Sequence, residues 1–325
     1  MKRTLGKSGI EVSPMGMGCW AIGGPFMMFG KPDGWGDIDD GESIRAIHRA
    51  VDLGINFFDT ADAYGTGHSE EVLGKALGGM RERVVIATKG GFVYDGEKRE
   101  LTGEDTSPAY FRKALDASLK RLGTDYIDLY QIHNWRVPKE HMEPLFAEFD
   151  RFVSEGKIRA YGWSTGDAVN ARYLAEHTKG SAVQHPANVF SYDGEIDAVC
   201  EEHGLASIDN APLAMGLLTG KFTGESLLPK DDVRGAGHDW VNYFQDGRPL
   251  PEMLGRLDAI REILRSGGRS LVQGAIGWLW AKSPQNIPIP GFKNTAQAEE
   301  NAKAIAYGPL TPAQMDEIDS LLDMN

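Results

Sequence analysis

Cysteine is scarce in this chain, with two in 325 residues, Cys19 and Cys200. Two thiols that far apart supply neither a disulfide framework nor the paired spacing of a structural zinc site, which fits a reducing compartment. Long apolar runs are missing as well. No stretch approaches the ~20 residues that span a bilayer, and the opening MKRTLGKSGIEV has no apolar segment of the signal-peptide kind. The expectation is a cytoplasmic protein with no membrane partner. Basic charge is the third shortage: 34 Lys and Arg face 47 Asp and Glu, for a net charge of −13. A nucleic-acid backbone is therefore not expected as a partner, although a local basic site for a small phosphate is compatible with that balance. What remains, 41% hydrophobic and 25% charged residues, is the make-up of a soluble globular protein. The length suits one large domain or two ordinary ones.

Residues 3–5 and 10–12 flank Gly6-Lys7-Ser8-Gly9 and read as a small hairpin. A run at 15–18 is strand-like, and 21–40, rich in glycine and aromatics, reads as a long loop. Then an alternation of short apolar strands and helical patterns sets in. Strands are expected from Met15, Ile55, Val84, Tyr126, Ile158, Ala182, Leu205 and Asn286. Helix ends are marked by Ser107-Pro108, Asp167, Ser270 and Thr311 at the start, and by Gly54, Gly123, Gly156 and Gly204 at the finish. Ser69 reads as the cap of the helix after the second strand. Eight strand-helix units without a linker argue for one domain over 1–325, a single (β/α)8 TIM barrel. The hairpin would plug its bottom, and an extra helix lies between strands seven and eight.

The active site of such a barrel lies at the C-terminal ends of the strands. Strand two ends at Asp59 and carries Tyr64 on the next loop. Strand three ends at Lys89, strand four at His133, strand five at Ser164, strand six at Gln184. A free tyrosine has a pKa of about 10, and a nearby ammonium lowers it. Lys89 can supply that charge, Asp59 can hold Lys89, and His133 can hydrogen-bond a substrate oxygen. Each alone has an ordinary structural explanation; four at successive strand ends make a proton-transfer device.

The segments DTADAYGTGHSEEVLGKAL, IATKGG, YIDLYQIHN, NAPLAMGLLTGKF and IPGFKNTAQAEENAKAI resemble the aldo-keto reductases, in order and over nearly the whole chain. The resemblance implies a metal-free reduction of carbonyls by NADP(H), with Asp59, Tyr64, Lys89 and His133 as the catalytic tetrad and Tyr64 as general acid. Its substrate is implied to be a small carbonyl compound or, in reverse, an alcohol. It places Gly18, Cys19 and Trp20 near the ribose, and Ser164, Thr165 and Gln184 at the nicotinamide carboxamide. Asn210, Ala211, Pro212, Leu213, Ala214 and Gly216, with Lys221 and Arg234, fall along the pyrophosphate. Gly291, Lys293, Gln297, Glu300 and Asn301 fall at the adenosine end. Lys293, near a helix N-terminus, suits a 2′-phosphate and favours NADP(H) over NAD(H).

Two positions depart from the family pattern. Thr165 stands where an asparagine is usual, and Asn210 where an aromatic commonly stacks on the nicotinamide; a ring from a loop is expected to cover it instead. Two other readings compete. Gly162-Trp163-Ser164-Thr165-Gly166 has the form of a nucleophile elbow, but its partners in order, Asp197 and His203, share one helix. The chain can also be a nicotinamide-binding regulatory subunit with little turnover. The Gly16-Met17-Gly18 run lacks the rest of a dinucleotide fingerprint. Trp20, Phe26, Phe29, Trp35, Trp135, Trp240 and Phe244 are the candidate pocket aromatics. The oligomeric state is not readable.

Overall fold

The computed structural model describes residues 2–323. Its frame is a parallel sheet of eight strands: β1 (Met17–Gly18), β2 (Phe57–Asp59), β3 (Val85–Gly90), β4 (Ile127–Ile132), β5 (Ile158–Ser164), β6 (Ala182–Pro186), β7 (Ala206–Asn210) and β8 (Asn286–Pro288). Neighbours in the sheet are neighbours in sequence. The ring closes where β8 meets β1. Gly16 and Gly18 donate their amides to the carbonyls of Pro288 and Pro290, both at 3.0 Å. Only glycine fits at position 18, because a Cβ there would stand 2.6 Å from the Ile289 carbonyl.

Six helices follow the first six strands in turn: α1 (Asp40–Asp52), α2 (His68–Leu77), α3 (Pro108–Leu122), α4 (Lys139–Ser154), α5 (Ala168–His177) and α6 (Gly194–His203). After β7 come α7 (Pro251–Leu264) and α8 (Leu271–Lys282), and after β8 come α9 (Thr295–Lys303) and α10 (Pro312–Asp323). The caps expected at Ser107, Asp167 and Ser270 each accept a backbone amide of the first turn. Ser69 is a correction: α2 begins at His68, and its cap is Gly67, two residues before Ser69, at φ 101. The Ser69 hydroxyl is used elsewhere, donating to the Cys19 carbonyl at 2.7 Å and meeting the Thr60 hydroxyl at 2.8 Å.

Strand alternation decides what the barrel encloses. Phe57, Val85, Ala87, Leu129, Ala160, Ala182, Ala206, Ile208 and Ile287 fill the interior together with Leu5, Ile10 and Val12 of the N-terminal hairpin. That hairpin pairs Arg3–Thr4 with Glu11–Val12, and its turn is wedged against Ser181 and Ala206 at the bottom of β6 and β7. The outward residues, among them Phe58, Ile86, Tyr130, Ile132, Tyr161 and Trp163, pack under the helices.

At the opposite end the loops carry structure that the sequence reading lacked. The segment expected as one long loop contains a 3-10 turn at Ala21–Gly23 and short strands at Met27–Met28 and Lys31–Pro32. These join Phe92–Asp95 and Glu100–Glu104 in a separate four-stranded sheet. Phe26 and Leu101 pack from it onto Ala61 and Ala63, beside the mouth of the barrel. Among the described residues, no helix is long and apolar enough to cross a membrane.

Candidate active site

Above the apolar interior the inward positions turn polar. Two residues after Phe57 comes Asp59, two after Ala87 comes Lys89, and after Leu129 come Gln131 and then His133. The same parity brings up Ser164 on β5 and Gln184 on β6. Lys89 has no solvent exposure and Asp59 almost none. A buried charge of this kind persists only if paired and hydrogen-bonded, and Lys89 is fully engaged. Its Nζ donates to Asp59 Oδ1 at 2.6 Å, to the Thr60 carbonyl at 2.8 Å and to the Tyr64 hydroxyl at 3.2 Å. Asp59 Oδ2 accepts from Gln184 at 2.9 Å and from Gln131 at 3.2 Å.

This donor count fixes the charges. An ammonium has three protons and here three acceptors, whereas a carboxylate only accepts. Burial works against ionised Lys89 and is the largest single effect, but Asp59 and Tyr64 together outweigh it and hold the lysine above its ordinary value. Burial raises Asp59 as well, with Lys89 and the two glutamines opposing; the shared proton belongs on the lysine, which has acceptors for it. Because the Tyr64 oxygen accepts from Lys89, its own proton is free to point to another acceptor. Tyr64 differs from expectation in one respect: its phenol is raised, not lowered. Burial pushes it up, and the lowering by Lys89 does not cancel this.

Tyr64 is held by its neighbours' glycines. The 3-10 turn at Ala21–Gly23 lies against it, and a Cβ on Gly23 would stand 2.8 Å from its backbone. Gly65, at φ 63, approaches the Gly23 carbonyl, and Arg99 donates to that carbonyl at 2.8 Å. The Trp20 ring stacks near Tyr64, with centroids 5.9 Å apart. His133 meets Tyr64 edge-on at 5.7 Å and Phe92 at 5.0 Å. Burial, with Lys89 adding, drives His133 well below its usual range, so its imidazole is neutral. Its Nδ1 is buried without a partner.

The residues assigned to a cofactor divide. Gln184 gives an amide hydrogen to Asp59 and lies opposite Ser164 in the register of β5 and β6. The Thr165 hydroxyl is taken up by the start of α5, donating to the Trp135 carbonyl and accepting from Asp167 and Asn170. The Cys19 thiol is in the core under α2 and burial pushes it up; only its backbone borders the site, accepting Ser69.

The loop after β7 behaves differently. Ala211, Ala214 and Met215 have φ of 52, 47 and 55, and Gly216 has φ 91. Non-glycine residues in that region store strain, and turned amides of this kind form concavities that suit anions. Beside them gather Lys221, Arg234 and Lys293. Arg234 is held by Asp232 at 2.6 and 2.8 Å and by the Met215 carbonyl. Lys293 donates to the Trp35 carbonyl. Lys221 is lowered by burial and by Arg234; Lys293 is lowered by burial, with Asp232 opposing and Arg234 adding. Three cations around Asp232, with Asp37 also acting on Lys293, in a chain of net charge −13, fit a phosphate ligand. Asn301 donates to the Gly291 carbonyl and Gln297 accepts the Lys293 amide, so the stretch from β8 to α9 is tied to the same cluster. Glu300 accepts Gln273 on its carbonyl.

Sequence reasoning missed Gln131 and the Phe92 wall. Gln131 shares the parity of Leu129 and His133, a signal that was present. Among the candidate aromatics, Trp20 and Trp240 are at the site, with rings 6.0 Å apart. Phe26 is core, while Phe29 and Trp135 are exposed. Trp35 and Phe244 pack on Arg234. The hydrolase arrangement does not assemble: Asp197 binds Ser207 and Tyr192, and His203 lies beside Glu176 and Glu202.

The sequence profile of the Aldo/keto reductase family matches residues 14–323. Aldo-keto reductase YhdN of Bacillus subtilis is 31% identical over 98% of this chain and 93% of its own length. The glycerol dehydrogenase AKR11B4 from Gluconobacter oxydans is a similar solved structure, with a TM-score of 0.85 and 31% identity over 99% of this chain and 95% of that one. The holo form of aldo-keto reductase AKR11C1 from Bacillus halodurans superimposes with a TM-score of 0.78 at 28% identity, over 98% and 95%. With Asp59, Lys89 and Tyr64 hydrogen-bonded and His133 beside them at the rim of an eight-stranded barrel, and these likenesses running nearly its full length, the chain belongs to the aldo/keto reductase family of oxidoreductases.

Proposed function

We propose that this protein reduces a small aldehyde or ketone with NADPH in the cytoplasm, and oxidises the corresponding alcohol in reverse. The observation that carries the reading is the single ammonium, Lys89, joined to both Asp59 and Tyr64. A nicotinamide cofactor bound at this rim would supply the hydride for the carbonyl carbon. Everything else in the step is work for side chains. Tyr64 gives its proton to the carbonyl oxygen, so one hydride and one proton convert C=O to an alcohol. Lys89 then stabilises the phenolate left behind, and Asp59 keeps Lys89 in place. Neutral His133 orients the carbonyl oxygen toward Tyr64. Burial keeps the phenol protonated at neutral pH, and the Lys89 ammonium, which opposes that rise, eases release of the proton in the transition state.

For the cofactor, Lys221, Arg234 and Lys293 with the strained turn at 211–216 would hold the phosphates. Lys293 is the candidate partner of a 2′-phosphate, which is the basis for favouring NADP(H). Ser164 and Gln184 are the candidates for the carboxamide. Turnover distinguishes this reading from a regulatory subunit. NADPH consumption should be seen with a panel of short aliphatic, aromatic and hydroxylated aldehydes. Tight NADPH binding with no consumption across the panel would favour the regulatory reading.

A further inference from the structure

A carboxyl group stands at the mouth of this site with no part in the reaction above. Asp33 directly follows the short strand Lys31–Pro32 and is only 6% exposed. Its Oδ1 is buried and has no hydrogen bond. The nearby His238 Nε2 lies 3.4 Å away, but it is engaged with the Pro32 carbonyl at 2.8 Å. Burial pushes Asp33 up to about 8.

The surroundings locate this orphan. The Asp33 backbone carbonyl accepts from Trp20 Nε1 at 3.1 Å, and the Trp20 ring stacks near Tyr64. On the other side, the His238 ring packs 5.2 Å from Trp240, whose ring in turn lies 6.0 Å from Trp20. When ionised, Asp33 also raises the Tyr64 phenol, as the smallest of the effects on it. The carboxyl is therefore set behind the indoles of Trp20 and Trp240, the first of which stacks near the proton donor.

Native proteins seldom leave a buried carboxyl oxygen without a partner, because the desolvation is then uncompensated. A ligand that brings its own hydroxyl would supply the missing partner. A protonated carboxyl both donates and accepts, which matches a hydroxyl group, and the flat faces of Trp20 and Trp240 suit the C–H edges of a small carbon chain. We infer that Asp33 is a specificity residue that hydrogen-bonds a substrate hydroxyl, so that the preferred substrates are short hydroxylated aldehydes and ketones over plain alkanals. This rests on the reductase reading of the site.

The test compares glyceraldehyde with propanal, a pair of equal carbon count, with NADPH and rates referred to the free aldehyde. Loss of one substrate hydrogen bond in a buried site corresponds to roughly tenfold in rate. Wild type should favour glyceraldehyde by at least about that factor in kcat/KM. Asp33→Leu should lose this preference, mostly through KM, with propanal changed little. Asp33→Asn keeps the shape and still donates and accepts, so it should retain the preference; that rescue separates recognition from mere folding. Wild type that reduces propanal but gains nothing on glyceraldehyde overturns the role of Asp33 and leaves the reductase reading standing. So does Asp33→Leu losing both substrates alike while Asp33→Asn does the same. Wild type that turns over neither aldehyde overturns both.

Discussion

Replacing Lys89 by methionine removes the ammonium and keeps the length of the side chain. Asp59 then loses its 2.6 Å partner and is left with Gln184 at 2.9 Å and Gln131 at 3.2 Å, in a place with 2% exposure. Breaking one side of a buried pair costs about 3–5 kcal/mol, because the survivor is an uncompensated charge. Asp59 can escape part of that cost by binding a proton. Its folded-state pKa then lies further above the unfolded value, so the folded form holds the proton more tightly. The variant should therefore be least destabilised at low pH and lose stability as pH rises above the ordinary carboxylate range. The double variant Asp59→Asn with Lys89→Met removes both charges. It should recover to within about 1–2 kcal/mol of wild type and lose the added pH dependence, yet stay inactive. Urea unfolding followed by tryptophan fluorescence, repeated across about pH 5–8, measures all three forms, and NADPH consumption gives the activity. If Lys89→Met unfolds at the wild-type midpoint, or if the double variant is no more stable than the single, Asp59 and Lys89 are not a buried ion pair and the charge assignment is wrong.

Three other outcomes follow from the same geometry. The rate of carbonyl reduction should stay level through neutral pH and fall only as Tyr64 ionises, which burial places above about 10; a limb near pH 6.5 would mean that His133 titrates during turnover, against its neutral state. Asp62 has both carboxyl oxygens buried and unpartnered and is raised well above its usual range, so its own contribution to wild-type stability should decline as pH rises past about 4. Relative to wild type, urea midpoints of Asp62→Asn should gain as pH rises, and an equal pH dependence in the two proteins rejects the assignment. Lys293→Ala should raise KM for NADPH by about tenfold while barely moving KM for NADH, as expected for loss of one charge-assisted phosphate contact; an equal rise for both would remove the 2′-phosphate from its role.

The barrel was legible because its strands are short apolar runs that keep their parity. Once β2, β3 and β4 were placed, Asp59, Lys89 and His133 had to emerge at one rim. The four-stranded sheet over the mouth was not legible. Two of its strands, Met27–Met28 and Lys31–Pro32, are too short for any alternation to register, and their partners at Phe92–Asp95 and Glu100–Glu104 are a long way off in sequence. Ser69 looked like a cap because the true one, Gly67, acts through a left-handed backbone and not through a side chain. The direction of the Tyr64 shift was misjudged for a related reason. The attraction of Lys89 can be read from residue types, whereas the stronger opposing effect of burial depends on how the loops pack around the ring. Gln184 shows the same limit: parity brought it to the rim, but only the packed barrel shows that its amide is held by Asp59.

The most direct measurement is the kinetics of Tyr64→Phe, which keeps the ring and removes only the proton donor. With NADPH affinity unchanged by fluorescence titration, kcat for aldehyde reduction should fall by about 10²–10⁴-fold. A variant that binds NADPH normally and reduces aldehydes at the wild-type rate would contradict the assignment of Tyr64 as the acid.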